Sequence, residues 1–210
     1  MASSPPTLPP IESLSAATDD DTLKSILDTL FEPSPELHAL SIPSIRDELS
    51  KPSHGNSFTY ATLIEHIGAL LLTLTSSPSS STSPSQPSHN PTLYAILGSH
   101  PRLGAKKVTS AQSRAEQEQL NNSTNPSPAT TTTTAPSSQT DDLTLLNAEY
   151  EARFPGLRYV VFVNGRGREA IAEDARTRIA RGDVVAEERE IVRAMVDIAR
   201  DRAGKLGVVL

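Results

Sequence analysis

Leu157-Arg158-Tyr159-Val160-Val161-Phe162-Val163 is the one run in this chain with the β-branched and aromatic density of a strand. No second run of that kind is there to pair with it, and a lone strand leaves its N–H and C=O groups without a ladder. The reading is therefore an all-α bundle, with 157–163 an extended connection buried between helices.

The rest of the foldable sequence carries helical signals. Residues 19–21 cap a predicted helix whose Leu23, Ile26, Leu27 and Leu30 recur at i, i+3, i+4 and i+7, and Phe31-Glu32-Pro33-Ser34-Pro35 ends it. A second segment over 36–49 is expected to break at Pro43. A third over 59–75, apolar around most of its circumference, is the candidate central helix. Asn90 and Pro91 supply an N-cap and a first-turn proline for a short apolar helix ending at Gly98. A polar helix is expected around 110–120. The next is capped by Asp141 or Asp142, lined by Leu143, Leu146, Tyr150 and Phe154, and stopped by Pro155-Gly156. Asn164-Gly165-Arg166-Gly167 reads as a turn with solvated arginines. Two helices follow, at about 169–180 and 186–206, parted by Gly182-Asp183.

Composition decides how much of the chain enters that bundle. Residues 1–18 are a Pro/Ser leader, and about 76–89 and 121–140 are almost pure Ser, Thr, Pro and Asn. Such segments cannot bury enough apolar surface to offset their ordering entropy, so the expectation is one helical domain over 19–210 with a disordered leader and two flexible insertions. The net charge of -6 argues against a nucleic-acid or anionic-membrane partner. With no cysteine there are no disulfides, thiolate metal sites or cysteine nucleophiles. The longest apolar run, 67–72, is far shorter than the roughly 20 residues of a spanning helix. The N-terminus has no secretory pattern, and the C-terminal Gly-Val-Val-Leu is not a Ser-Lys-Leu type address. The expected location is intracellular, cytoplasmic or peroxisomal.

Three side chains stand out chemically. His100 precedes Pro101, which disfavours the helical conformation at the residue before it and holds the imidazole outside the helix ladder, where it serves either as an end cap or in a cleft. In the last helix Ile191, Met195 and Ile198 form an apolar stripe whose next member is Arg202, with Glu187 at its other end. A guanidinium there calls for a carboxylate or an anionic ligand, and the plainer alternatives are that it snorkels to the rim or pairs with Glu187 or another acid. Glu116 lies in a polar helix, where a carboxylate usually faces water, and Ser113 before it reads as a capping residue. The five histidines show no metal-ligand spacing, so no metal is expected.

The ordered set His100-Pro101-Arg102-Leu103-Gly104, Ser113-Arg114-Ala115-Glu116-Gln117, Leu146-Asn147-Ala148-Glu149-Tyr150 with Phe154, Tyr159 to Val163, and Ile198-Ala199-Arg200-Asp201-Arg202 resembles the 2-oxo-4-hydroxy-4-carboxy-5-ureidoimidazoline (OHCU) decarboxylases of urate degradation. Phe31-Glu32-Pro33-Ser34-Pro35 is similar to an early aromatic-Glu-x-Ser element of that family. The resemblance implies an all-helical, often dimeric enzyme that needs no cofactor and converts OHCU to (S)-allantoin. By position, His100 would donate the proton, Glu116 would be its acidic companion and Arg202 would hold the substrate. Pro101, Ser113, Arg114, Ala115, Gln117, Tyr159, Val160, Val161, Phe162 and Val163 would bind it. Arg102 stands where many members have Asp and adds positive charge near His100, and Ala203 stands where Leu is usual.

The chemistry suits those residue types. The electrons left when carbon dioxide departs can move into the substrate's own conjugated imine, so the protein supplies orientation, electrostatic stabilisation and a proton delivered to one face. A carboxylate beside the histidine would raise its pKa toward working pH, and an arginine fork suits a planar anion. The alternative is a helical interaction protein without the chemistry, using its Ser/Thr/Pro segments as docking loops. Convergence of His100, Glu116 and Arg202 on one pocket separates the two.

Overall fold

In the computed structural model the described residues are 7–51, 58–75, 89–105, 110, 112–116 and 136–208, with side chains from 142 onward in the last of these. Among them every regular element is helical, and no strand occurs. The helices are α1 (Asp20–Leu30), α2 (Pro35–Leu49), α3 (Tyr60–Thr73), α4 (Pro91–Leu97), α5 (Pro136–Arg153), α6 (Arg168–Arg181) and α7 (Val184–Lys205), with a helical stretch at 112–116. None of them is long and apolar enough to cross a membrane. Most of the two Ser/Thr/Pro segments, 76–88 and 121–135, lies outside the described residues.

Local chemistry sets the helix starts. The Asp19 carboxylate accepts from the Thr22 N–H at 2.8 Å, Asn90 from Thr92 and Leu93, and Asp183 from Ala186 at 3.0 Å. Thr59 and Thr62 close a reciprocal capping box at the start of α3. The α1 stripe is buried as its spacing requires, with Leu27 and Leu30 fully excluded from water.

Two expectations about helix limits need correction. α2 does not break at Pro43 but runs through it. Pro43 lies on the exposed side of α2, and so does Ala39, whose carbonyl loses its partner to the proline and is left facing water. α5 starts at Pro136, ahead of the caps expected at Asp141 or Asp142. Residues 7–18, read as leader, also pack: Ile11–Ser13 forms a 3-10 turn, Leu14 is buried, and the Tyr60 hydroxyl donates to the Pro9 carbonyl at 2.8 Å.

α7 is the axis of the bundle, packed along α3 and against α1, while α5 pairs with α6 and α2 bridges α1, α3 and α4. α3 and α7 approach closely at Gly68, where a Cβ would come within 2.6 Å of Val196 Cγ2. Gly182, at φ +61°, makes the left-handed turn between α6 and α7. Between α5 and α6 the run 157–163 stays extended, with Leu157, Tyr159, Val160 and Val161 buried, as a connection among helices.

Candidate active site

The last turns of α7, the α1–α2 junction, the His100 loop, the 112–116 stretch and the extended run meet at one point. They enclose a cavity of about 50 Å³ walled by His100, Pro101 and Leu103 on one side, Ser113 and Glu116 on another, and Tyr159, Val160, Val161, Val163 and Ile198 on the rest. A neighbouring cavity of about 110 Å³ shares Glu116, Val161, Val163 and Ile198 and continues outward past Phe162, Asn164, Gly165, Asp201 and Lys205.

Arg202 lies behind this wall, 2% exposed. Its Nε donates to Glu116 Oε1 at 2.7 Å and its Nη2 to Glu116 Oε2 at 3.0 Å. Nη2 also donates to Glu32 Oε1 at 2.8 Å and to Ser113 Oγ at 3.0 Å, and Nη1 donates to the carbonyls of Phe31 and Leu30. The Ser113 hydroxyl in turn donates to Glu32, and Ser110 Oγ approaches the same carboxylate oxygen at 3.3 Å. All five N–H groups of the guanidinium thus point at protein acceptors. Burial presses its pKa down, but the hydrogen bond and charge of Glu116, joined by those of Glu32, outweigh it and raise the pKa. Of the sequence's alternatives for Arg202, pairing with acids is the one realised, with Glu32 and Glu116 in place of Glu187.

His100 is 4% exposed and its carbonyl accepts from Arg158 Nη1 at 2.9 Å. Its Nε2 has no hydrogen-bond partner among the described residues. Burial, and then the charge of Arg202, push its pKa down to about 3, so the imidazole at rest is neutral. The expected rise from Glu116 is absent because that carboxylate directs both oxygens to Arg202. Arg102 is exposed and pairs with Glu151, donating from Nη2 to Glu151 Oε2 at 2.8 Å. Its charge is therefore matched where it stands.

The extended run is clamped from behind. The Tyr159 hydroxyl donates to Asp174 Oδ2 at 2.6 Å, and the Arg178 guanidinium lies 5.2 Å from the Tyr159 ring centroid. Arg178 Nη1 donates to the Val160 carbonyl at 3.3 Å and to Glu187 Oε1 at 3.2 Å. Glu187 is fully buried, accepts from the Tyr150 hydroxyl and pairs with Arg181 Nη2 at 2.9 Å. From the turn that follows, Arg166 is half-buried and donates to the Phe162 and Val163 carbonyls, so it is not the solvated arginine expected.

Of the residues singled out in the sequence, His100, Pro101, Ser113, Glu116, Tyr159, Val160, Val161 and Val163 line the inner cavity, with Arg202 bonded to two of them. Phe162 lines only the outer one, Arg114 and Ala115 are exposed, and Gln117 lies outside the described residues. Ser113 is not a cap: it is buried, and Ser110 Oγ accepts from its N–H at 3.1 Å. Glu32 as an Arg202 partner, Leu103 and Ile198 as cavity walls, and the Asp201–Lys205 pair at 2.7 Å on the outer chamber were not legible from local pattern.

The family model described as OHCU decarboxylase matches residues 16–204 of the chain. A search of the curated proteins gave no match.

Proposed function

The chain belongs to the OHCU decarboxylase family, which makes it a carboxy-lyase of urate degradation acting on a small molecule, and we propose that it converts OHCU to (S)-allantoin at the His100 cavity without a cofactor. The observation that carries this reading is the convergence of His100, Ser113 and Glu116 on one cavity with Arg202 bonded to the latter two. An interaction protein has no use for a buried histidine with an open Nε2 on one cavity with a carboxylate that is paired to a buried guanidinium.

Neutral His100 acquires its proton together with the substrate, whose carboxylate brings into the cavity the negative charge that opposes the effects of burial and Arg202. As the C–C bond to the carboxylate breaks, its electron pair moves into the ring imine and carbon dioxide leaves. The carbon that bore the carboxylate becomes a carbonyl as its hydroxyl proton passes to the ring nitrogen, and His100 delivers its proton to the neighbouring ureido-bearing carbon from one face, giving the (S) product. Arg202 is the cation on the substrate side, reached through the Glu116 position, since its other acceptors are backbone carbonyls, Ser113 and the buried Glu32. Pro101, Ser113 and the run from Tyr159 to Val163 hold the ring and ureido group.

On this reading a single catalytic domain carries both Ser/Thr/Pro insertions, dimerises as many members of its family do, and works in the cytoplasm or peroxisome. The direct test feeds urate through uricase and hydroxyisourate hydrolase to the pure protein and follows the circular dichroism of allantoin. Accumulation of the (S) enantiomer faster than the spontaneous racemic route is expected. His100→Ala is expected to remove most of that rate with the helical content unchanged, and a wild-type trace equal to the blank rejects the proposal.

A further inference from the structure

We propose that Arg178, on α6 and outside the cavity, is a positioning residue that turns the Val161 N–H toward the substrate by holding the Val160 carbonyl from behind. This rests on the function proposed above and adds a hydrogen-bond donor to it.

The peptide joining Val160 to Val161 is trans, like every described peptide bond in the chain. In a trans planar peptide the C=O of one residue and the N–H of the next point in opposite directions. Arg178 Nη1 donates to the Val160 carbonyl, and Arg178 lines neither cavity, whereas Val161 lines both. The Val161 N–H is therefore aimed away from α6, and no backbone hydrogen bond from it occurs among the described residues.

A buried N–H of that kind wants an acceptor. The substrate supplies one in the ring carbonyl oxygen conjugated with the imine nitrogen, which shares the negative charge that nitrogen receives as carbon dioxide departs, and a fixed backbone donor aimed at developing charge is the arrangement that lowers such barriers.

Arg178 is itself held so that it cannot drift. Its guanidinium is braced by the fully buried Glu187 at 3.2 Å, by Asp174 at 3.0 Å and by Glu190 at 3.1 Å. Glu187 is fixed in turn by Tyr150 from α5 and Arg181 from α6. The network thus spans three helices to set one peptide plane. The cavity itself gains no charge from it.

The test uses the full-length protein labelled with ¹⁵N and the product (S)-allantoin as probe. On titration the Val161 amide resonance is expected to move downfield with the other cavity amides. Arg178→Lys keeps a positive charge for Glu187 but cannot serve Glu187 and Val160 together through a rigid fork. It is expected to lose the Val161 response and to lower kcat on OHCU by about tenfold to a hundredfold, less than the outright loss of an oxyanion donor, with KM within about twofold. If Val161 stays still in the wild type while its cavity neighbours respond, or if Arg178→Lys keeps full kcat, the inference is overturned and the functional reading stands. If Arg178→Lys does not fold, the wild-type titration alone decides. A wild type that neither turns over OHCU nor binds allantoin overturns both.

Discussion

Arg202 and Glu116 meet as a forked pair, Nε to Oε1 at 2.7 Å and Nη2 to Oε2 at 3.0 Å, yet the two ends of that pair are unequally placed. The Arg202 side chain is 2% exposed and that of Glu116 26%. Glu32, at 3% exposed, is the partner that stays dry. Removing Arg202 takes the countercharge from the buried Glu32, which keeps only serine hydroxyl donors, and takes the Arg202 donor from the Leu30 and Phe31 carbonyls, whereas removing the Glu116 charge leaves Arg202 with the rest of its acceptors. Arg202→Met is expected to lower folding stability by about 3–5 kcal/mol, and Glu116→Gln by about 1 kcal/mol. Urea denaturation midpoints measure both, and equal losses would show that Glu116 is the structural anchor.

His100 makes stability depend on acid in a defined window. Folded, the imidazole takes a proton only near pH 3, against an ordinary value of 6.5. Between those values the unfolded chain binds one proton more than the folded one, so stability is complete above about pH 6.5 and falls as pH drops toward 3. The loss at pH 5 amounts to roughly 2 kcal/mol. His100→Asn, which cannot titrate, is expected to lose that much less between pH 7 and pH 5. Stability curves of wild type and variant that run parallel across this range would refute it.

What could be read in advance follows from the range of each interaction. The α1 stripe, the Asn90-Pro91 start of α4 and the extended character of 157–163 depend on neighbours in sequence, and the structure has them. Arg202 announced itself as a cation on an apolar stripe, but the identity of its fixed partner did not, because Glu32 lies on another helix junction at the far end of the chain. Ser113 looked like a cap for the same reason: its helix start is local, while its hydroxyl is committed to Glu32 across the fold. The neutral state of His100 needed the knowledge that Glu116 faces Arg202, which no spacing shows.

Glu187 and Tyr150 give a second test of buried charge. The Tyr150 hydroxyl donates to Glu187, and burial first, then the Glu187 charge, raise its pKa. Tyr150→Phe removes one donor from a carboxylate that keeps Arg178 and Arg181, and is expected to cost about 1–3 kcal/mol. Glu187→Leu strands Arg178, 8% exposed, beside only the more exposed Asp174 and Glu190. That change is expected to cost about 3–5 kcal/mol. Thermal unfolding of the two variants in one buffer ranks them, and a larger loss for Tyr150→Phe would reverse the assignment of Glu187 as the centre of the network.

The contact between α3 and α7 is set by Gly68 and Val196. A Cβ at position 68 would lie 2.6 Å from Val196 Cγ2, closer than packed carbons tolerate, and both helices are long enough that neither can shift without disturbing its other contacts. Gly68→Ala gains helix propensity of about 1 kcal/mol, which opposes an overpacking cost of about 1–3 kcal/mol. The net expectation is a loss of stability. Val196→Ala alone removes two methyl groups from a partly buried site and is also destabilising. The double variant removes the clash while keeping the propensity gain, so it is expected to be more stable than the sum of the two single changes by about 1 kcal/mol or more. Additive losses in this double-mutant cycle would mean that α7 moves aside for the alanine, and that α3 and α7 are not held at a fixed separation.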